Sequence, residues 1–281
     1  GITSYIRGSA QQLIWQSYYL LEEALEKESP AVVVYNVQAM KYAQPQSEAY
    51  NRMALDGMPL SQHKIDAINA SMCEDEDMIS YLIPLLRYHS RWSELTAEDL
   101  EYMFKKDPVT ISGYLMRADT KPMTKLTNVP VLEDYTIGER CWYYLDKMRE
   151  LCQTHGTELV LIKSPSLWPH WYDEWDEQIS TYAEKYGLDY INLLPYADDI
   201  GLDMQTDTYD GGLHLNVYGA EKLSKYFGRI LRDKYDVPDR RDAADIAECW
   251  AQKCEDYYAL LAAQKAELEK YGYLKSWTLG E

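Results

Sequence analysis

The residues best suited to chemistry lie in one stretch, Asp207-Thr-Tyr-Asp210-Gly-Gly-Leu-His214-Leu-Asn216-Val-Tyr-Gly219. An imidazole whose Nδ1–H is held by a carboxylate can take a proton at Nε2 and be stabilised as the imidazolium. That is the task of the His–Asp half of a Ser–His–Asp triad. Asp210, four residues before His214, is the first choice for the acid, and Asp207 is the fallback. An Asp–Gly turn with an incidental surface histidine would have the same composition, so the pair alone is a weak motif. Apolar residues at 223, 226, 227, 230 and 231 then mark one face of an amphipathic helix. His214 therefore falls in a glycine-loosened loop just ahead of a helix, where a side chain can be held and still exposed.

The elements that must position this loop read as alternating strands and helices. Ser4–Arg7 is a short strand candidate leading to Gly8-Ser9-Ala10-Gln11-Gln12. A helix is predicted from about 12 to 27, with Leu13, Ile14, Tyr18, Leu21 and Leu25 on its apolar face. Ala31–Tyr35 reads as a buried parallel strand that ends at Asn36-Val-Gln38. A helix over about 135–154, a strand from Glu158 to Lys163, a helix over about 175–186 and a strand from Asp189 to Leu193 complete the pattern. It predicts an α/β fold, a parallel sheet with helices on both faces, in which ligands bind at the strand exits.

Two further segments carry binding chemistry. Residues 41–130 are helical, polar and irregular, and are expected to form an insertion folded over the strand exits. Within it Arg87, His89, Arg91 and Trp92 could clamp an anionic or sugar ligand, or simply decorate a helix C-terminus. Beyond the strand at 158–163, Trp168, Trp171 and Trp175 could form an aromatic platform for a sugar ring, or a hydrophobic lid on the domain. Residues 239–281 are expected as a C-terminal helical appendage to a domain spanning 1–238.

Composition sets the bounds. The chain has 281 residues, 26 Tyr and 8 Trp against 2 Phe, and a formal charge of −18. That charge repels a phosphate backbone, so nucleic acid is not an expected partner. Five scattered cysteines have no metal-type spacing, and an odd number excludes complete pairing. A metal hydrolase built from His89, His170 and the acid run at 74–77 lacks any His-x-x-x-His spacing. No metal and no cofactor is expected.

With that order of elements, the chain resembles the SGNH (GDSL-like) hydrolase superfamily, and within it the extracytoplasmic acyl-transfer branch. Proteins of that branch D-alanylate teichoic acids or O-acetylate exopolysaccharides. The family's opening block corresponds to Gly8-Ser9-Ala10-Gln11, and its closing block to Asp210 and His214 followed by Leu-Asn-x-x-Gly-Ala. The resemblance covers about residues 4–235 and implies a three-layer, flavodoxin-like fold. It also implies a serine-dependent O-acyltransferase or esterase acting on a cell-surface glycopolymer or an acylated small molecule. A membrane-bound acyl-donor protein is the implied partner. The implied location is outside the cytoplasm, anchored in a membrane through a segment preceding Gly1.

Two departures stand out. The family's Asp-x-x-His is Asp-x-x-x-His here, and its nucleophile position is occupied by Ala10. A Ser-to-Ala replacement, a natural pseudoenzyme that binds carbohydrate without catalysis, and the use of Ser9 all fit; the retained Asp–His pair favours the first. With Ser at position 10, His214 would act as its base. The backbone N–H of residue 10 and an amide from Asn36 or Gln38 would then be the oxyanion donors. Asn36 also suits a plain turn at a strand end.

Overall fold

A computed structural model describes residues 2–83, 96, 111–123, 129–235 and 237–277. Its centre is a three-stranded, all-parallel sheet in the order β1 (Val32–Asn36), β2 (Glu158–Lys163), β3 (Asp189–Asn192). Val33 faces Leu159 and Tyr35 faces Leu161 across the first pair; Leu161 faces Tyr190 across the second. Period-2 alternation puts these side chains on one face of the sheet. That face is sealed by α1 (Ile14–Leu25), α5 (Glu139–Thr154) and α6 (Asp173–Tyr186), whose Trp15, Tyr18, Leu145, Met148 and Ile179 share its core. Each crossover returns the chain to a parallel strand, as βαβ units require.

Helix α1 is buried on two sides. One side meets the sheet. The other carries Leu20 into a second core with Ala54, Leu55, Ala67, Ile68 and Tyr81 from α2 (Glu48–Leu55), α3 (Gln62–Ser71) and α4 (Met78–Leu82). A fully buried polar network ties these helices together. Gln16 Nε2 donates to Asn51 Oδ1 (2.8 Å) and Ser71 Oγ (3.3 Å), and Asn51 Nδ2 donates to the Ser71 carbonyl (2.7 Å). Each amide has partners in the interior, where an unpaired one would be costly. Ser61 Oγ caps α3 by accepting from Lys64 N–H (3.2 Å).

Several expectations need correction. Ser4–Arg7 is not a strand. Ile6 N–H donates to Ser112 O (2.8 Å), its side chain is 55% exposed, and β1 pairs directly with β2, leaving no slot between them. The described part of the 41–130 insertion divides: α2–α4 stack on α1 through the core around Leu20, while residues 117–123 run along the histidine loop, with Lys121 N–H donating to Thr208 O (2.9 Å) and Gly211 N–H to Lys121 O (3.2 Å). Leu21 packs, partly buried, against the sheet-side core, and Leu20, which the apolar face did not include, is buried in the second core. Arg87, His89, Arg91 and Trp92 lie outside the described residues.

The C-terminal helix α9 (Ala244–Tyr271) docks through Tyr257, Leu261 and Leu268 on Met116, Ala118 and Val217. Its Gln264, 3% exposed, accepts from Ala118 N–H (2.8 Å) and donates to Met116 O (3.0 Å), gripping residues 116–118 as a neighbouring strand would. Among the described residues no helix is long and apolar enough to cross a membrane.

Lys163 ends β2 with no solvent exposure, its ammonium donating to Ser164 O (2.7 Å), Ser166 O (3.3 Å) and Ser166 Oγ (3.0 Å). Burial, aided by the neighbouring Lys41 charge and opposed by Asp176, lowers its pKa from 10.5 to about 8. Below pH 8 folded and unfolded chains both carry the proton. Between 8 and 10.5 the unfolded chain binds more, so this lysine adds stability as pH rises, by up to about 1.4 kcal/mol per pH unit. The stability difference between wild type and Lys163→Met, from urea melts, should therefore climb from pH 8 to 10; a flat difference would contradict a desolvated ammonium.

Candidate functional site

His214 sits in a loop closed at its neck by an antiparallel bridge between Thr208 and Leu215. Thr208 is buried; its hydroxyl donates to His214 O (2.8 Å) and accepts from Gly212 N–H (2.8 Å). The chain turns back through Gly211 at φ 83° and Gly212 at φ 97°, a backbone region that other residues rarely adopt. At Gly212 a Cβ would also fall 2.3 Å from Met123 Sδ, a contact the flexible methionine can yield, so the demand for glycine comes from the backbone.

Asp210 does two things at once. Its Oδ1 accepts from the N–H groups of His214 (2.8 Å) and Leu213 (3.2 Å), forming a local turn. Its Oδ2 meets His214 Nδ1 at 2.5 Å. A carboxylate there draws the proton of the neutral ring to Nδ1 and leaves Nε2 as the acceptor. The His214 side chain is 58% exposed, and its Nε2 has no hydrogen bond among the described residues.

A stack of flat groups supports the ring. Tyr209 lies parallel to His214, centroids 5.6 Å apart at an interplanar angle of 9°. The Arg117 guanidinium covers Tyr209 at 4.7 Å, and Trp277 covers Arg117 at 4.7 Å. Asp119 grips Arg117 with two bonds (2.9 and 2.7 Å) and holds its pKa above the ordinary value. Burial, and then the Asp210 charge, push the Tyr209 phenol upward, with Arg117 opposing. Neither Tyr209 nor Arg117 was singled out in the sequence. The only signal for Tyr209 was an aromatic beside the acid, and for Arg117 there was none.

Asp207 plays a different part from Asp210. It is 1% exposed, and its Oδ2 accepts from Asp203 N–H (2.8 Å) and Lys222 Nζ (2.7 Å). It anchors the start of α8 (Val217–Tyr235). Asn216 caps the same helix, its Oδ1 accepting from Tyr218 N–H (3.1 Å) and Gly219 N–H (3.2 Å).

The other expected residues are dispersed. Asn36 Nδ2 donates to Ser164 Oγ (3.1 Å), stapling the exits of β1 and β2, while its Oδ1 accepts from Gln38 N–H (3.2 Å). The loop after β2 reaches the histidine loop, with Leu167 N–H (2.8 Å) and Trp168 N–H (3.1 Å) both donating to Gly212 O. Trp168 is 46% exposed there. Trp171 is a core residue and not a platform. It is buried, its indole N–H donates to Asp176 Oδ1 (3.1 Å), and its ring leans on Trp175 at 5.4 Å. Ala10 is exposed in a turn closed by Gln12 N–H on Ser9 O (3.3 Å), and Ser9 Oγ donates to Gln12 Oε1 (3.2 Å). Among the described residues no hydrogen bond joins this turn to the histidine loop.

The fold and site thus define a mixed α/β protein with a solvent-facing Asp–His pair beside the exit of its central parallel strand. No protein-family model, curated protein or solved structure matches the chain.

Two measurements test this geometry. In ¹⁵N NMR the neutral His214 ring should report a bare Nε2, and Asp210→Asn should mix the tautomers, since an amide can offer either oxygen or N–H; a wild-type ring protonated at Nε2 would refute the pairing. At Gly219 a Cβ would lie 2.5 Å from the Asp207 carbonyl. Gly219→Ala should therefore cost about 1–3 kcal/mol in chemical denaturation, and an unchanged midpoint would contradict the close approach.

Proposed function

We propose that the Asp210–His214 pair is the acid–base half of an acyl-transfer site, in a protein of the SGNH-like, three-layer type. The reaction is O-acyl transfer, with acetyl the first choice of acyl group, or ester hydrolysis on a cell-surface polysaccharide or related glycopolymer. The supporting observation is the 2.5 Å contact between His214 Nδ1 and Asp210 Oδ2, in a side chain 58% exposed whose Nε2 has no hydrogen bond among the described residues. A general base needs that arrangement: an oriented ring, a stabilised imidazolium and a reachable acceptor nitrogen. By the family pattern the nucleophile is a serine at residue 10. A serine there would attack the acyl carbon and pass its proton to His214, which hands it to the departing oxygen of the donor as the acyl-enzyme forms. Neutral again, His214 would take the proton of water or of a sugar hydroxyl as that oxygen attacks the acyl carbon, and return it to the serine oxygen as the acyl group leaves. With Ala10 this chain is the inactive form of that enzyme. Exposed Trp168 beside the loop offers a stacking face for a sugar. A membrane-bound acyl donor and a location outside the cytoplasm belong to the same reading.

Ala10 in a turn without a bond to the histidine loop favours a second reading, a non-catalytic carbohydrate-binding protein on the same fold. Ala10→Ser separates the two. On a chromogenic acetate ester and on acylated glycan donors, Ala10→Ser should raise turnover by about a hundredfold or more, and adding His214→Ala should abolish the gain. Activity that survives loss of His214, or no gain with any donor, would favour the binding protein.

A further inference from the structure

Beyond the exit of β1 the chain forms a short 3-10 helix, Val37–Lys41, packed on the sheet through the fully buried Val37 and Met40. With three residues per turn, side chains at i and i+3 eclipse, so Gln38 and Lys41 share the adjacent row. Both are left in an unusual state. The Nε2 and Oε1 atoms of Gln38 are both sealed from solvent and have no hydrogen-bond partner among the described residues. Lys41 is half-buried, its ammonium 4.8 Å from the Tyr42 ring, and among the described residues no carboxylate pairs with it. The Lys163 ammonium is close enough for the two charges to repel, and its own donors are already taken by Ser164 and Ser166.

Interiors rarely leave an amide unpaired at both ends, and an ammonium without a counter-ion is costlier still. A chain of net charge −18 has carboxylates in surplus, yet among the described residues none pairs with Lys41. The three demands together specify a ligand. Lys41 calls for negative charge, Gln38 Nε2 for an acceptor, and Gln38 Oε1 for a donor. A plain carboxylate meets the first two only, and a neutral sugar hydroxyl only the last two.

We propose that Gln38 and Lys41 form a binding site for an oxyanion that also carries a hydroxyl, the chemistry shared by hydroxycarboxylates and singly protonated phosphates. The Asn36–Ser164 staple borders it and holds the 3-10 helix in place through the Asn36 cap on Gln38 N–H. The site does not rest on the acyl-transfer reading: it uses neither Asp210 nor His214, although the family resemblance also offered Gln38 as an oxyanion donor.

Glycolate, acetate and inorganic phosphate are the probes, used on the full chain. Followed by ¹H–¹⁵N NMR of residues 36–41 and the Gln38 side-chain amide, glycolate or phosphate should bind at least about tenfold tighter than acetate. Whichever binds tighter identifies the source of the anion. Lys41→Met and Gln38→Leu should each weaken that binding about tenfold or more, while His214→Ala leaves it unchanged. Both substitutions remove an uncompensated polar group, so both should fold and raise the melting temperature by about 2–4 °C. A readout on unaltered protein accompanies these. Glycolate or phosphate should protect Lys41 from acetylation by an activated ester, mapped by mass spectrometry, and acetate should protect it far less. The inference is overturned if neither probe shifts these resonances or protects Lys41 at tens of millimolar. It is equally overturned if Lys41→Met binds them like wild type.

Discussion

The side-chain amide of Asn216 is the point on which the histidine loop depends. It has no solvent exposure and uses every hydrogen-bonding site it has. Its nitrogen donates to Thr206 O (2.7 Å), Asp119 O (3.2 Å) and Thr120 Oγ1 (3.3 Å), and its oxygen caps α8. One residue thereby fixes the approach to the loop, the segment at 117–121 and the helix that follows. Such a fully satisfied buried amide stabilises one arrangement and penalises the rest, because any shift strands several donors at once. Gly219 belongs to the same constraint, since its bare backbone lets α8 rest against the Asp207 carbonyl.

With the loop anchored, the local geometry of Asp210 follows. Its carboxylate is held by two backbone N–H groups of the very turn that carries His214, so ring and acid move as one unit. This short range explains how the pair stays ordered while the imidazole is more than half exposed. The stack from His214 through Tyr209 and Arg117 to Trp277 adds a back wall that draws on three separate stretches of chain. Arg117 contributes charge as well as area. It faces the Tyr209 ring as a cation, and Asp119 neutralises it without displacing it from the ring.

The sheet edge presents a contrast in electrostatics. An acidic protein keeps two neighbouring lysines at the ends of β1 and β2, one saturated by carbonyl and hydroxyl oxygens and the other with no carboxylate partner among the described residues. Desolvation lowers both pKa values to about 8. Lys163 is explained by the turn it builds, because its ammonium organises residues 164–166 and thereby the loop that reaches Gly212.

Much of the scaffold was legible in the sequence because its signals are local. The 3.6-residue rhythm places α1, α5, α6 and α8, and the apolar run Val32-Val33-Val34-Tyr35 marks β1. The i,i+4 relation between Asp210 and His214 is likewise a property of one short turn. Pairing partners were not legible. Whether Ser4–Arg7 joins the sheet depends on what lies beside β1, and β1 lies against β2. Trp171 and Trp168 are three residues apart and equally aromatic, yet one is buried on Asp176 and the other faces solvent, a distinction made by α6 and not by composition. The sequence by itself determined α1, α5, α6, α8, the three strands of the sheet and the turn that carries Asp210 and His214, because each is decided by neighbours within a few residues. Only the tertiary structure decided that Asp207 anchors α8, that Tyr209 and Arg117 back the histidine, and that the Gln38 amide is sealed with no partner among the described residues. Those facts arise from contacts between segments up to more than a hundred residues apart, whose energies no local pattern encodes.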